Sequence, residues 1–360
     1  MAELLKEVYS PSFIDLLATQ FKQAYPRFEK YVFIETIFDT QWQHKELKAR
    51  LLFIAQTLHQ FLPADFQQST LILKQVAPFF SGYQAMFFPA FIELYGLDNY
   101  PISIECLAFL TQFSSAEFAV RPFIVKYPQQ MMAQMRSWAD SDNFHLRRLA
   151  SEGCRPRLPW ACALPEFKKD PSAILPILEA LKDDDQDYVY RSVANNLNDI
   201  SKDNPQWVIN IAQAWLKDNP SKNRRWLVKH GCRGLLKRAH PKALSLFGFY
   251  PPKHIKVASL KVDKTVLMGQ KLNFSFSLNS PVSLGKCRVE FAMSFMKKRG
   301  QQADKIFKIS ESDIKNNAKQ VTKQFDFKAI STRKYYPGIH QLSIIVNGEK
   351  MAQQSFLLVG

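Results

Sequence analysis

Arg147-Arg148-Leu149-Ala150, Arg191-Ser192-Val193-Ala194 and Arg224-Arg225-Trp226-Leu227 resemble one another, each opening with arginine and closing on two apolar residues. They start 44 and 33 residues apart. Irregular spacing in this range suits helix-pair repeats of the HEAT type, which stack into a solenoid. The surrounding sequence agrees with helices. Leu47, Leu51, Ile54, Ala55, Leu58, Phe61 and Leu62 recur at the i, i+4, i+7 spacing of one apolar stripe. Pro63, Pro78, Pro89, Pro101, Pro122 and Pro128 then punctuate the chain too often for long helices. A stacked solenoid offers a concave face whose helices can track a duplex.

Beyond Pro251-Pro252 the period changes to two. Ile255–Ala258, Leu272–Leu278, Arg288–Met293, Ile306–Ile309, Gln324–Phe327, Gln341–Ile344 and Ser355–Val359 read as seven strands separated by turn residues. So many short strands in so little chain predict an immunoglobulin-like β-sandwich. The fold expected is mainly α with a C-terminal all-β domain: a HEAT-like α-solenoid over residues 1–252 and a β-sandwich over 253–360. Two domains also suit 360 residues, since one core seldom grows beyond ~250–300.

Charge is divided as unevenly as the periodicity. The net charge is +16, yet residues 1–130 hold 10 basic and 12 acidic side chains. Pro220–Val262 carries 11 basic residues and no acid, and residues 253–360 carry 19 basic against 7 acidic. Such asymmetry points to a polyanion docking on the second half, a solvated basic face being the blander alternative. Composition excludes a mainly disordered chain, with 46% hydrophobic and 22% charged residues. Only 12 glycines argue against Gly-rich phosphate loops. Met1–Glu7 has acids where a secretory leader needs bases, and no apolar run reaches membrane-spanning length. Cys106, Cys154, Cys162, Cys232 and Cys287, odd in number and widely spaced, read as reduced buried thiols of a cytoplasmic protein. No metal-ligand spacing, G-x-S-x-G, H-E-x-x-H or P-loop occurs. No metal or other cofactor is expected.

The chemistry concentrates in residues 145–160, His-Leu-Arg-Arg-Leu-Ala-Ser-Glu-Gly-Cys-Arg-Pro-Arg-Leu-Pro-Trp. Gly153 reads as the residue beyond a helix C-terminus. Glu152 then sits at the negative end of the macrodipole, and Asp199 does the same after the stripe Val189, Val193, Leu197, Ile200. Two acids at unfavourable helix ends in a basic neighbourhood call for a reason. Either Arg148 pairs with Glu152 at i, i+4 and Asp199 is merely solvated, or both serve chemistry. Glu117 has its own bland alternative, a capping box in Ser114-Ser115-Ala116-Glu117. Trp160 could be a core anchor and His145 a surface or packing residue.

The run His145–Trp160, the helix end Asn195–Asp199 and the segment Arg224–Gly231 resemble the AlkC branch of the AlkC/AlkD alkylpurine DNA glycosylases. Many of its members add an immunoglobulin-like domain at the C-terminus. The resemblance implies removal of cationic alkylated bases such as 3-methyladenine and 3-methylcytosine from double-stranded DNA in base excision repair. Carried over, the active-site positions are Asp199, Glu117, Glu152 and Trp160. An N3-alkylated base leaves readily, so a carboxylate is needed mainly for the electron-poor sugar and the attacking water. The candidates for DNA contacts are Arg148, Arg155, Arg157, Lys229 and Arg233 in the helical part. Lys297, Lys298 and Arg299 join them from a basic loop, Lys297–Gln302, and a second loop covers Ser331–Gly338. The β-domain is expected to grip and bend DNA opposite the solenoid. The protein is expected to be a monomer, away from membranes, used at the bacterial nucleoid. A noncatalytic nucleic-acid-binding or protein-interaction scaffold is the competing expectation.

Overall fold

The structure, a computed structural model, describes residues 5–217, 219–300, 302–329 and 333–360. It divides into two compact units between Gly231 and Cys232. Helices end at Leu246 and strands begin at Lys256, on either side of Pro251-Pro252, and the short helices Arg233–Lys237 and Pro241–Leu246 belong to the second unit. The compact division therefore precedes the expected boundary at residue 252.

The first unit is a HEAT-like stack of helices. Pro11–Ala24 packs on Lys30–Ile37, Leu47–Phe61 on Phe87–Tyr95, and Phe66–Val76 on Tyr100–Leu110. The three arginine-led segments lie on Phe144–Gly153, Asp187–Asp203 and Lys222–Gly231, which pack side by side in that order. Their resemblance in sequence is thus one place in three consecutive layers. Periodicity explains each helix. Along Asp187–Asp203, Val189, Val193, Leu197 and Ile200 are fully or almost fully buried. In Leu47–Phe61 the stripe Leu51, Ile54, Ala55, Leu58 faces inward. Ser10, Asp65 and Asn143 cap their helices by accepting backbone N–H bonds.

Gly153 has a different task from the one its position suggests. It lies within Phe144–Gly153, and Cys154 follows at φ −90°, so no left-handed cap forms. A Cβ at Gly153 would come within 2.6 Å of Val120 Cγ2 and 3.0 Å of Met135 Cε. Close approach of neighbouring helices, not turn geometry, demands glycine there.

The second unit is a two-sheet sandwich. Its strands are β1 (Lys256–Val262), β2 (Thr265–Leu267), β3 (Lys271–Asn279), β4 (Gly285–Met296), β5 (Gln302–Ile314), β6 (Ala318–Asp326), β7 (Gly338–Val346) and β8 (Glu349–Val359). One sheet has the order β1-β3-β6, the other β2-β8-β7-β4-β5. All pairs are antiparallel except β2 with β8. The seven expected strands are present, and only the three-residue β2 was not foreseen. β3 alternates buried and open positions, the mark of one solvated face, whereas β4 is buried along nearly its whole length as a central strand. Asn347 and Gly348, both at positive φ (48° and 88°), form the tight hairpin between β7 and β8. Asn347 also ties the hairpin down, its Oδ1 accepting from Arg288 N at 2.7 Å and its Nδ2 donating to Tyr250 O at 2.8 Å.

His340 of β7 is fully buried among Phe295, Phe327 and Phe356. Its Nε2 lies 3.0 Å from Tyr336 O, and Nδ1 has no partner among the described residues. Burial pushes its pKa below the ordinary imidazole value, so the folded state holds it neutral. The unfolded chain binds a proton there first as pH falls below ~6.5, so stability is complete above that value and declines beneath it. His340→Phe should therefore show a smaller fall in thermal midpoint between pH 7 and pH 5 than wild type, measured by calorimetry. Equal falls would remove His340 from the acid response.

Candidate active site

A cavity of about 600 Å³ opens in the first unit, lined among others by Tyr83, Glu117, Arg148, Glu152, Trp160 and Tyr188. Glu117, Arg148, Glu152 and Arg155 line it and begin a chain of alternating charges that continues behind the wall to Asp199 and Lys202. Arg148 Nη1 bonds Glu117 Oε2, and its Nη2 is 3.7 Å from Glu152 Oε1. Arg155 Nη1 donates to the same Glu152 oxygen at 2.5 Å, while Arg155 Nε and Nη2 each reach Asp199 Oδ2 at 2.9 Å. Lys202 Nζ donates to Asp199 Oδ1 at 2.9 Å. Ser192 Oγ donates to Glu152 Oε2 at 2.6 Å.

Three helices or loops bring these groups together because the layers stack. Glu117 precedes the helix Val120–Lys126, Arg148 and Glu152 stand on Phe144–Gly153, and Asp199 stands on Asp187–Asp203, which packs against it. Glu152 and Asp199 are only 4% and 1% exposed. Buried carboxylates are stable only when paired, and here each has a guanidinium. The reciprocal effect shows on the bases. Burial disfavours charge on Arg148 and Arg155, but Glu117 and Glu152 on one, and Glu152 and Asp199 on the other, hold both pKa values above the usual range.

Trp160 enters from a loop with its own scaffold. Arg121, fully buried and with no carboxylate partner among the described residues, gives Nε to Cys162 O at 2.7 Å and Nη1 to Gly153 O and Arg155 O at 2.9 Å. Leu164 N closes the loop onto Pro156 O at 3.2 Å. Trp160 itself has φ +65°, a left-handed conformation that a bulky residue adopts only under constraint, at a cost of ~1–3 kcal/mol. Lys48 Nζ donates to its carbonyl at 2.6 Å. The indole is 62% exposed and meets the Tyr83 ring edge-on at 6.3 Å.

Of the expected catalytic set, Glu117, Glu152 and Trp160 therefore line one cavity, and Asp199 lies one guanidinium behind it. The capping-box alternative for Glu117 does not form: its carboxylate accepts from Ser115 Oγ and Arg148, and Ala119 precedes the helix without a side-chain cap. Trp160 is a rim residue, not a core anchor. Arg148 and Arg155, considered for phosphate contact, are instead held among the carboxylates. Arg157 pairs with Asp203 at 2.6 Å through Nη2. Lys229 and Arg233 are half-buried and make contacts of their own. Lys297, Lys298 and Arg299 form the exposed turn between β4 and β5. Of the two basic loops, Gln301, Ser331 and Thr332 lie outside the described residues. Four cysteines are buried, but Cys162, in the Trp160 loop, is exposed. His145, read as a surface or packing residue, lies on the cavity wall against the Phe144 ring, its pKa lowered by burial and then by Arg148. Tyr83, Tyr188, Lys48 and Arg121 were not singled out from the sequence.

No helix among the described residues is long and apolar enough to cross a membrane. A family model described as DNA alkylation repair enzyme matches residues 108–235, a span that includes Glu117, Glu152, Trp160 and Asp199. A second, described as the C-terminal Ig-like domain of uncharacterised protein YhaZ, matches residues 256–360. The chain is 42% identical over 347 residues to the uncharacterized protein YhaZ of Bacillus subtilis, covering 96% of each. It also matches the structure of Pseudomonas fluorescens alkylpurine DNA glycosylase AlkC bound to DNA containing an abasic site analogue. That match has a TM-score of 0.95 at 34% identity, over 99% of this chain and 100% of the other.

The buried Arg121 contacts generate a direct test. Arg121→Leu would strand three carbonyls, each costing ~1–3 kcal/mol if left unpaired. We expect the thermal midpoint to fall by roughly 5–10 °C and Trp160 fluorescence to shift. An unchanged midpoint would show that the loop stands without Arg121.

Proposed function

Because this chain belongs to the AlkC family of alkylpurine DNA glycosylases, we propose that it hydrolyses the N-glycosidic bond of cationic alkylated bases in double-stranded DNA. The bases meant are 3-methyladenine and 3-methylcytosine. The observation that supports this most is the placement of Glu117, Glu152 and Trp160 on one cavity, with Asp199 next to it, in a chain of net charge +16. Acids are otherwise out of place in a protein that meets a polyanion.

An N3-alkylated base carries positive charge before its bond breaks and departs neutral. The electron pair of the N-glycosidic bond goes to the base, and positive charge passes to the sugar. A fixed carboxylate stabilises that charge where it develops. Water then forms the new bond to the sugar carbon and surrenders a proton, which a carboxylate accepts. We assign Asp199 to the sugar and the water, with Glu117 and Glu152 providing negative potential around the cationic base. Trp160 offers a π-face worth ~0.5–2 kcal/mol to a cation and little to a neutral base. Arg155, bonded to both, holds Glu152 and Asp199 in place.

DNA affinity is assigned to the cations outside this cluster. Lys297, Lys298 and Arg299 are exposed on a turn whose Gly300, at φ +78°, lets the chain reverse tightly. Lys229, Arg233 and Arg157 are the candidates in the helices and at their ends. With base excision repair as its task, the protein would act as a monomer in the cytoplasm, at the nucleoid.

Asp199→Asn should lower release of methylated bases by ~10²–10³-fold while leaving duplex affinity nearly intact. Free bases and abasic sites are counted after incubation with methylated duplex. Wild-type release by the variant would remove Asp199 from the mechanism, and no release by the wild type would favour a noncatalytic scaffold. Replacing Lys297, Lys298 and Arg299 by alanine should reduce the slope of log affinity against log salt by up to roughly three units. An unchanged slope would return that turn to ordinary surface.

A further inference from the structure

We propose that Lys202 holds Asp199 idle in the free protein and lets it go when a phosphate of the docked strand takes the lysine over. Lys202 is thus a positioning residue that acts through Asp199. The inference rests on the function proposed above and says how its carboxylate becomes available.

Both oxygens of Asp199 are engaged. Oδ2 accepts from Arg155 Nε and Nη2, each at 2.9 Å, and Oδ1 accepts from Lys202 Nζ at 2.9 Å. A carboxylate that is to face a sugar and take a proton from water needs one oxygen open. Arg155 is not the partner to leave, since its side chain is 9% exposed and it also bonds Glu152. The Lys202 side chain is 42% exposed and stands three residues further along the helix Asp187–Asp203. An ammonium on a flexible stem, with water already beside it, parts from a carboxylate far more readily than a buried guanidinium does. Asp199 is not on the wall of the cavity described above, so Lys202 marks its side toward solvent.

The surroundings of Lys202 suit a phosphate. A hydrogen bond from Arg157, then the charges of Arg157, Lys168 and Lys202, draw the Asp203 carboxyl below its usual range, which sets three cations about one acid. That acid is committed to Arg157, at 2.6 and 2.9 Å. A nucleotide whose sugar reaches Asp199 brings its own phosphates by covalent linkage, within the span of a lysine side chain.

Charge explains why the exchange matters. Glu117, Arg148, Glu152, Arg155, Asp199 and Lys202 carry as many positive as negative charges, so the resting cluster has none to spare. Transfer of Lys202 to a phosphate leaves one negative charge uncompensated, on the Asp199 oxygen turned toward the strand. A buried acid in that state is strongly unfavourable until positive charge develops beside it. Scission of the N-glycosidic bond develops that charge on the sugar. The acid is therefore armed only where a backbone is in place.

The test uses the full chain and duplexes carrying one 3-methylcytosine, with the phosphate on either side of it intact or replaced by a neutral methylphosphonate. Base release is followed in a single turnover at saturating protein. In the wild type the neutral linkage at one of the two positions should slow release by about tenfold or more, because Lys202 has nothing to move to. In Lys202→Met the ratio of the two rates should fall close to unity. The variant should also need several-fold more protein to saturate, and its slope of log affinity against log salt should fall by about one unit. Lys202→Arg, which keeps the charge, should restore both. Equal ratios in wild type and Lys202→Met overturn the exchange, and so does an unaltered salt slope. Release from the unmodified duplex that is about tenfold slower in Lys202→Met at saturation overturns it too, since Lys202 would then serve Asp199 during the reaction itself. Should the wild type release no methylated base from any duplex, the glycosylase reading itself fails. Release with the wrong ratio defeats the exchange alone.

Discussion

Arg155 is the tie on which the site depends. Its guanidinium lies between Glu152 of one helix and Asp199 of the helix stacked on it, at 2.5 and 2.9 Å. Both carboxylates are buried, and removing one partner of such a buried pair typically costs ~3–5 kcal/mol. The bonds that pair the acids also tie the two helices to each other. Packing and chemistry are therefore one constraint: the layers can slide only by breaking the pairs. Close approach at Gly153 acts in the same sense, since any side chain there would push the helix away from Val120.

The layered fold was largely legible because it obeys periodic rules. The stripe Val189, Val193, Leu197, Ile200 reports a buried helix face, and the alternation in Leu272–Leu278 reports a strand with one solvated side. β2 escaped because three residues are too few to show a period; it pairs with β8 and buries only Val266. The site was legible in part. Acids at helix ends mark Glu152 and Asp199 locally, and Glu152 did pair with Arg148 as one alternative had it. Nothing local could show that Arg148 also serves Glu117, or that Arg155 reaches Asp199. Those contacts join residues 31 and 44 positions apart and exist only once the layers stack. Lys48, whose contact with Trp160 spans 112 positions, is further still from any sequence signal.

Gly153 and Trp160 show how a residue type can be read correctly for the wrong cause. Glycine after a helix suggests a left-handed cap, yet here it answers to crowding. Tryptophan after two prolines suggests an anchor, yet here it is the residue with the left-handed backbone, exposed at the cavity rim. Strain of this kind persists only when its surroundings over-determine it. Arg121 beneath the loop and Lys48 at the Trp160 carbonyl supply that determination. Arg121 does so without a carboxylate partner among the described residues, at the expense of a pKa pulled down by burial. Backbone carbonyls rather than acids accept its hydrogen bonds, so no further carboxylate is placed beside the cavity by this residue.

Separating the charges solves a problem that any acid-based DNA chemistry faces. Carboxylates repel phosphates, yet they are what a cationic nucleotide needs. In this chain the acids of the site are each matched by an adjacent base, so at the range of a Debye length the cluster is nearly neutral. The uncompensated positive charge lies elsewhere, most densely after residue 220. Long-range attraction to DNA and short-range attraction to a damaged base can then vary independently. A cluster that is neutral from afar but polarised within its own few ångströms exerts little long-range pull on a phosphate backbone.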